Sequence, residues 1–264
     1  MTTLAEAFAR ARTENRAALI GYLPAGFPTP TASVDLIAAM VSAGVDIVEV
    51  GLPYSDPLMD GPAIQEAVDV ALRAGTTTDV VLDTVGHVSA TGAATVVMSY
   101  WNPVERYGVE RFADRLADAG GVGVITPDLT PEEAGPWIAA TERRGMDRIF
   151  LVAPSSTDDR IDTVCAVTSG FVYAASTMGV TGARTQVSSA APELVRRTRT
   201  HTSLPIAVGL GVSTGAQAAE VAAYADGVIV GSAFVRRILD AADPSAAIDA
   251  VSDLAADLAR GVRA

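Results

Sequence analysis

The chain has 264 residues, 49% of them hydrophobic, and a formal net charge of −12. This acidic balance argues against nucleic acid or an anionic membrane surface as a partner, although backbone amides can still bind a small phosphate. No apolar run reaches the roughly 18 residues of a transmembrane helix, no signal peptide is evident, and the lone Cys165 forms no disulfide framework. We therefore expect a cytoplasmic location.

Short β-rich runs alternate with helical patterns along the chain. The predicted strands are 18–23, 47–51, 95–100, 123–126, 148–153, 171–175, 206–209 and 227–230. The predicted helices are 3–12, 30–43, 62–74, 109–119, 131–144, 158–167, 191–200, 215–224 and 245–260. Capping boxes at Thr130 and Thr214 mark two helix starts. Gly44, Gly75 and Gly145 mark helix ends.

This alternation predicts βαβ units and a parallel sheet, and hence an α/β fold. Eight such units at roughly 30 residues each favour a closed (β/α)₈ TIM barrel. Segment 3–12 is then an extra N-terminal helix, and segment 233–239 a short extra helix after the eighth strand. Because no Pro-, Ser- or Gly-rich linker divides the chain, we expect a single barrel domain over residues 1–264. An open doubly wound sheet is the alternative.

Two acidic residues at the second predicted strand give the strongest functional signal. Glu49 lies in the apolar run 45–51, where a carboxylate is costly unless it is paired or used. At a barrel mouth, burial would raise its pKa toward working pH for proton transfer. Asp60 follows on the next loop and could act with it. The alternatives are a structural ion pair for Glu49 and a local turn or cap for Asp60.

Aromatic residues and glycines follow other strand ends. Tyr22 and Phe27 lie around the first turn, Tyr100 follows the third strand, and Tyr173 closes the sixth; each could line a pocket or simply pack. Glycine-rich segments follow the last three strands, at 179–182, 209–211 and Gly231-Ser232. Backbone amides at such loops and at a short helix N-terminus bind phosphate in many barrels, so we predict a phosphate site here.

The small number of histidines and the lack of known nucleotide-binding motifs in the sequence argue against other chemistries. The only histidines are His87 and His201, and we expect His201 on the face opposite the glycines. No histidine triad, no His/Cys metal site and no P-loop can be assembled from the sequence. Two carboxylates and a phosphate cradle suit proton transfer on a phosphorylated substrate, without a metal or redox cofactor.

Residues 48–65, with the sequence VEVGLPYSDPLMDGPAIQ, closely resemble the signature of the tryptophan synthase alpha subunit family. The resemblance spans nearly the whole chain and includes the segments 100–103, 127–129 and 179–182. It implies a (β/α)₈ barrel that splits indole-3-glycerol phosphate into indole and glyceraldehyde 3-phosphate. It also implies an α2β2 complex with a beta subunit that uses pyridoxal phosphate, while this chain itself needs no cofactor.

The resemblance further implies roles for individual residues. Glu49 would relay protons between the C3′ hydroxyl and indole C3, and Asp60 would stabilise positive charge on the ring nitrogen. The residues expected to line the substrate site are Phe27, Leu58, Tyr100, Tyr173 and Leu210, and those expected to bind phosphate are Gly182, Gly211, Gly231 and Ser232. The residues expected to meet the beta subunit are Asp56, Pro57, Asn102 and Pro103. Residues 176–189 would form a mobile lid.

Some positions depart from well-known members of the family. They are Tyr54, Met59, Thr177 and Leu210, and they bear on the lid and on the packing around indole. Three other functions stay open at this point. They are a free-standing lyase without an obligatory partner, a barrel that binds a phosphate ligand but has lost catalysis, and another phosphate-binding barrel such as an isomerase.

Overall fold

The computed structural model describes residues 2–175, 190–209 and 211–264. Within these ranges, parallel strands form one sheet in the order β5-β4-β3-β2-β1-β9-β8-β7-β6. The strands are β1 (Ala18–Pro24), β2 (Ile47–Gly51), β3 (Ala94–Met98), β4 (Gly123–Ile125), β5 (Asp147–Ile149), β6 (Leu151–Val152), β7 (Val172–Ala175), β8 (Ile206–Gly209) and β9 (Gly227–Val230). Strands β5 and β6 are consecutive pieces of the fifth predicted strand, so the sheet closes through them. The predicted (β/α)₈ barrel is confirmed.

Helices surround this sheet. They are α1 (Leu4–Thr13), α2 (Pro30–Ser42), α3 (Pro62–Arg73), α4 (Thr78–Ser89), α5 (Trp101–Tyr107), α6 (Val109–Asp118), α7 (Gly135–Arg144), α8 (Asp158–Val167), α9 (Ala190–Arg199), α10 (Gly215–Ala222), α11 (Ser232–Leu239) and α12 (Pro244–Gly261). Helices α1 and α11 are the two predicted extra helices. In the part of the chain that the structure describes, no helix is long and apolar enough to cross a membrane.

The observed helix boundaries follow local chemistry. Thr214 caps α10 by accepting a hydrogen bond from Gln217 N at 3.3 Å, as predicted. The reciprocal bond of a capping box is not formed there, because Gln217 Oε1 accepts from Ser213 N at 2.8 Å instead. The capping box predicted at Thr130 is wrong, because residues 131–133 form a turn and α7 begins only at Gly135. Pro136 explains the difference. In a helix starting at residue 131 it would remove an interior hydrogen bond, whereas in the first turn of α7 it is tolerated.

Helices α4 and α5 are absent from the predicted set. The α4 segment is rich in Val and Thr and contains Gly86, all of which lower intrinsic helix propensity. Its helix forms because one face packs into the core, with Val81, Val85 and Val88 fully buried. Tertiary packing therefore overrides the local preference.

Helix α1 covers the N-terminal end of the barrel. Its residues Leu4, Ala7 and Phe8 join one buried cluster with side chains that alternate inward along the strands. The rings of Phe8 and Phe171 lie 5.6 Å apart between their centroids. The interior is consequently closed to water at this end, which leaves the C-terminal strand ends as the open mouth.

A buried ion pair fastens the chain after α1 to the start of β2. Arg16 Nη1 lies 2.6 Å from Asp46 Oδ2, and the two side chains are 2% and 6% exposed. Arg16 Nη2 donates to Asp46 Oδ1 at 2.9 Å, and Leu19 N donates to Oδ2 at 2.9 Å. Because both charged groups are buried away from water, removing one partner of this ion pair would leave a buried charge uncompensated and destabilise the fold.

We expect Arg16→Ala to destabilise the protein by about 3–5 kcal/mol, because it leaves the buried Asp46 carboxylate without its main cation. Urea unfolding followed by circular dichroism measures this change. The matched control is Arg260→Ala, which removes a side chain that is 72% exposed and pairs with Asp257. The control should change stability by less than about 1 kcal/mol. Equal effects of the two variants would contradict the assignment.

Candidate active site

The strand register places Glu49 and Tyr22 side by side inside the barrel. Tyr22 on β1 is the register partner of Glu49 on β2. Two residues earlier, Ile20 and Ile47 are also partners and belong to the interior cluster. Since successive side chains of a strand alternate between its two faces, Tyr22 and Glu49 point to the same interior.

Glu49 is the buried acid of this site. Its residue is 2% exposed, and its Oε1 atom finds no hydrogen-bond partner within the described ranges. Burial raises the pKa of Glu49 to about 8, because the charged form would lose its hydration without compensation. In those same ranges Glu49 forms no ion pair, so the geometry favours a chemical role over a structural one.

Asp60 is the second acid, held by a tyrosine from the neighbouring strand end. Tyr100 Oη donates to Asp60 Oδ1 at 2.9 Å, and Met59 N donates to the same hydroxyl at 3.0 Å. Burial raises the pKa of Asp60, while the hydrogen bond from Tyr100 lowers it in part. The cap position of α3 is Gly61, which provides no side-chain bond. The alternative of a helix cap for Asp60 is therefore not what the structure shows.

Glycines make room for two tyrosines at the barrel mouth. A Cβ added to Gly51 would lie 2.5 Å from Tyr22 Oη, and one added to Gly209 would collide with Tyr173 Oη. Burial raises the pKa of the Tyr173 hydroxyl, and the nearby Glu49 raises it further. The Tyr173 hydroxyl therefore lies near Glu49 at the barrel mouth, and its role in lining the substrate site stays a prediction.

Tyr22 is a functional candidate that the sequence singled out only as an aromatic near the first turn. Burial is the largest cause that raises the pKa of Tyr22 well above its usual value, and the charges of Asp60 and Glu49 raise it further. Its side chain therefore lies among the acids and tyrosines of the mouth. The signal that could have found it is its two-residue spacing from Ile20 on an inward-facing strand.

Three of the predicted phosphate residues, Gly211, Gly231 and Ser232, follow the ends of β8 and β9. Gly231 precedes α11, where no side chain within the described ranges caps the helix, and Ser232 opens it. Gly211, after β8, has a φ of +69°, which favours glycine. These neighbouring strand ends lie beside the N-terminus of α11, and helix N-termini carry the positive end of the helix dipole, which favours anions.

The burial of Phe27 and Leu58 tests the expectation that both shelter the substrate. Phe27 is buried, in line with a wall of the site. The expectation that Leu58 shelters the substrate is wrong, because its side chain is 70% exposed. Met59 N binds Tyr100, so the loop is anchored beside Leu58, whose own side chain faces outward. Leu210, Gly182, Thr177 and the segment 176–189 lie outside the described residues.

The residues predicted to meet a partner form one surface with the site. Asp56 and Asn102 are exposed, and Pro57 and Pro103 are half-buried. The rings of Tyr54 and Tyr100 lie 5.6 Å apart and join their two loops.

The next loop belongs to the same surface. Asp128, in the loop after β4, caps a helix that follows a different strand. It accepts from Trp101 N at 2.9 Å at the start of α5. Three consecutive loops are thereby connected at the barrel mouth.

His201 lies away from this mouth, as predicted. It sits just before β8, and its Nδ1 is 2.5 Å from Asp162 Oδ1. Among the described residues, no group of three or more His, Cys, Asp or Glu side chains could hold a metal ion. Cys165 is a buried free thiol in α8, and burial raises its pKa to about 11.

Comparison with known proteins places these features in a family. A family model described as tryptophan synthase alpha chain matches residues 8–262. The chain is 61% identical to the tryptophan synthase alpha chain of Thermobifida fusca over 267 aligned residues, which cover 100% of this chain and 99% of that protein. It is also 61% identical to the alpha chain of Acidothermus cellulolyticus, over 100% of this chain and 98% of that one.

Solved structures agree. A tryptophan synthase structure from Mycobacterium tuberculosis superposes with a TM-score of 0.93 at 53% identity, covering 100% of both chains. The alpha subunit from Legionella pneumophila superposes with a TM-score of 0.89 at 30% identity, covering 99% of this chain and 98% of that one. The fold is therefore kept across a wide range of sequence identity.

We expect Glu49→Gln to be more stable than the unchanged protein at alkaline pH. The folded pKa of about 8 exceeds that of an unfolded Glu, about 4.3, so ionisation favours unfolding as pH rises between these values. Each pKa unit corresponds to about 1.4 kcal/mol. The advantage of Glu49→Gln should be small at pH 4 and grow toward pH 8, to a few kcal/mol.

Thermal unfolding of both proteins at pH 4, 6 and 8 measures this trend. The control compares the unchanged protein with Glu66→Gln, which alters an exposed carboxyl. The stability difference between these two proteins should show no comparable growth with pH. A constant difference between Glu49→Gln and the unchanged protein over this range would contradict the raised pKa.

Proposed function

Because the chain belongs to the tryptophan synthase alpha chain family, we propose that it cleaves indole-3-glycerol phosphate into indole and glyceraldehyde 3-phosphate. The observation that carries this proposal is the buried carboxyl of Glu49, whose Oε1 has no hydrogen-bond partner within the described ranges, in a mouth it shares with Asp60. The two acids differ in environment, which suits them to different tasks in one proton-transfer reaction. We propose that residues 1–264 act as one barrel domain.

The reaction breaks the C3–C3′ bond in a retro-aldol step. Glu49, neutral below its raised pKa of about 8, donates a proton to indole C3 and becomes a carboxylate. The ring is then a cation, and the Asp60 carboxylate stabilises the N1–H that carries its charge. Glu49 next accepts the proton of the C3′ hydroxyl while the C3–C3′ bond breaks. The electron pair returns to the ring, indole leaves, and C3′ becomes the aldehyde of glyceraldehyde 3-phosphate.

The remaining residues hold the substrate in place. Amide groups at Gly211, Gly231 and Ser232 would bind the phosphate, whose anchoring converts binding energy into orientation at the reacting carbon. Tyr173 and Phe27 would enclose the ring and the glycerol chain. Gly182 and Leu210 stay predictions for the same site. We propose that this chain needs no cofactor of its own, since the groups that move protons in this scheme are its side chains.

We further propose that the surface around Asp56, Pro57, Asn102 and Pro103 binds a tryptophan synthase beta subunit in an α2β2 complex. In that complex pyridoxal phosphate belongs to the beta subunit, which uses the indole. Leu58, 70% exposed, provides an apolar side chain at this surface, and the fully buried core of an interface is more apolar than the remaining protein surface. The cytoplasmic location stays a prediction.

We expect Glu49→Gln and Asp60→Asn each to lower kcat for indole formation by at least about 10²-fold, the range that a positioned proton-transfer group contributes. Glu49→Gln removes the exchangeable proton, and Asp60→Asn removes the charge facing the ring nitrogen. Indole release from indole-3-glycerol phosphate measures both variants.

The matched controls are Glu66→Gln and Asp69→Asn on the exposed face of α3. They carry the same chemical changes and should keep kcat within about twofold. Inorganic phosphate should bind all five proteins with similar affinity. Normal turnover in Glu49→Gln would remove the acid from the mechanism and, with it, the proposal.

We expect Leu58→Asp to weaken the complex with a beta subunit by at least about tenfold, because a charge would be buried in an apolar contact. Analytical ultracentrifugation of purified chains measures the dissociation constant. Ile248→Asp on α12, where the side chain is 37% exposed, is the matched control and should not affect assembly.

The purified alpha and beta chains also distinguish an alpha subunit that works with a beta partner from a free-standing lyase. Indole formation is compared with and without the beta subunit. A marked rise on assembly supports the alpha-subunit role. Equal rates, together with no complex formation by the unchanged chain, would instead indicate a free-standing lyase.

A further inference from the structure

The mechanism above gives no task to the hydroxyl of Tyr22, a polar group at the barrel mouth. Tyr22 lies beside Glu49 across the β1–β2 pair, with its side chain directed into the barrel. Among the described residues, no group makes a hydrogen bond with its hydroxyl, although the residue is only 9% exposed. A tyrosine hydroxyl at the open mouth that has no bond within these ranges can take a partner when substrate enters.

The ring of Tyr22 spans the mouth from the phosphate end to the acid end. A Cβ added to Gly231 would lie 3.2 Å from Tyr22 Cδ1, so the ring begins beside the proposed phosphate site. A Cβ added to Gly51 would lie 2.5 Å from Tyr22 Oη, so the hydroxyl ends over the last residue of β2. The loop that carries Asp60 starts directly after that residue.

The charged and titratable groups around this hydroxyl come from each neighbouring element. Asp60 has the largest electrostatic effect on it, followed by Glu49 on β2, Tyr100 after β3 and Tyr173 on β7. Among the charged groups of the described residues, Glu49 is the one that affects Tyr173. The Tyr22 hydroxyl therefore lies within electrostatic range of both acids, and the Tyr173 hydroxyl within range of Glu49.

We propose that Tyr22 is a positioning residue for the lyase reaction, whose hydroxyl donates a hydrogen bond to the Asp60 carboxylate when substrate is bound. The inference rests on the function proposed above. Tyr100 already occupies one site on Asp60 Oδ1. A carboxylate offers about four acceptor sites on two oxygens, so it can accept from Tyr100, Tyr22 and the indole N1–H together.

The need for a second hydroxyl follows from burial. Bound substrate excludes water from Asp60, and desolvation favours the neutral form of the acid. The reaction requires the carboxylate, because only the charged form stabilises the cationic ring. Hydrogen bonds to the charged form oppose the effect of desolvation. Two tyrosine donors would thus keep Asp60 ionised and aimed at the ring nitrogen.

The test compares Tyr22→Phe with the unchanged protein in complex with a beta subunit, using the pH dependence of indole formation. Phenylalanine keeps the ring against Gly51 and Gly231 and removes only the donor. We expect kcat to fall about tenfold with little change in KM. We also expect the acidic limb of the kcat profile, which reports the substrate complex, to move to higher pH by about half to one unit, while the alkaline limb stays.

Two further variants define the readout. Tyr173→Phe also removes a hydroxyl from the mouth, but one associated with Glu49, and should leave the acidic limb in place. The double variant Tyr22→Phe, Tyr100→Phe loses both donors, and its acidic limb should move further than that of either single variant. Tyr224→Phe removes a buried hydroxyl remote from the site and should keep unchanged activity.

The possible results separate the two proposals. If the unchanged protein forms no indole, the proposed function fails. If it forms indole and Tyr22→Phe shows the same kcat and the same acidic limb, the positioning role is overturned. A raised KM with unchanged kcat would likewise overturn it, because that pattern describes a ring that only binds substrate. Equal melting temperatures of Tyr22→Phe and the unchanged protein exclude a folding effect.

Discussion

The buried carboxyl of Glu49 inside the barrel is the constraint on which the rest of the site depends. A carboxylate there would lose its hydration without gaining a cation or a hydrogen bond to Oε1 from the described part of the chain, so the neutral acid is favoured at neutral pH. This holds only while water is kept out. The closed sheet excludes water from the sides, and α1 does so from the N-terminal end, fastened through the ion pair of Arg16 and Asp46. A fold contact far from the mouth thus supports the chemistry.

Tyr100 connects the chemistry with the surface proposed to meet a partner. The Tyr100 hydroxyl donates to the Asp60 carboxyl and accepts from Met59 N. The Tyr100 ring packs against Tyr54, which lies in the same loop as Met59 and Asp60. The backbone amide of the next residue, Trp101, is held by Asp128. A change in loop position on binding a second subunit would therefore alter the distance and direction of the bond to Asp60. The contacts give a direct physical route for coupling assembly to the lyase site.

Most of the fold was accessible from the sequence, and the reasons for the exceptions are physical. Alternating strands and helices, with glycines such as Gly145 at helix ends, predict the barrel because each is a local signal. Helix α4 has weak local propensity and depends on burial. The late start of α7 depends on Pro136, whose effect outweighs the apparent cap at Thr130. The exposure of Leu58 could not be predicted, since the local sequence does not show whether a loop side chain faces solvent or the interior.

For the site, the sequence identified both acids but not how differently the protein treats them. Glu49 is surrounded by apolar strand residues and lacks donors within the described ranges, whereas Asp60 accepts a hydrogen bond from Tyr100. The first environment favours a neutral acid and the second partly restores the charged form. Those tendencies depend on side chains contributed by β1, β3 and β7, which only the closed sheet brings together. One acid to exchange protons and one to remain charged is the division that a reaction through a cationic ring requires.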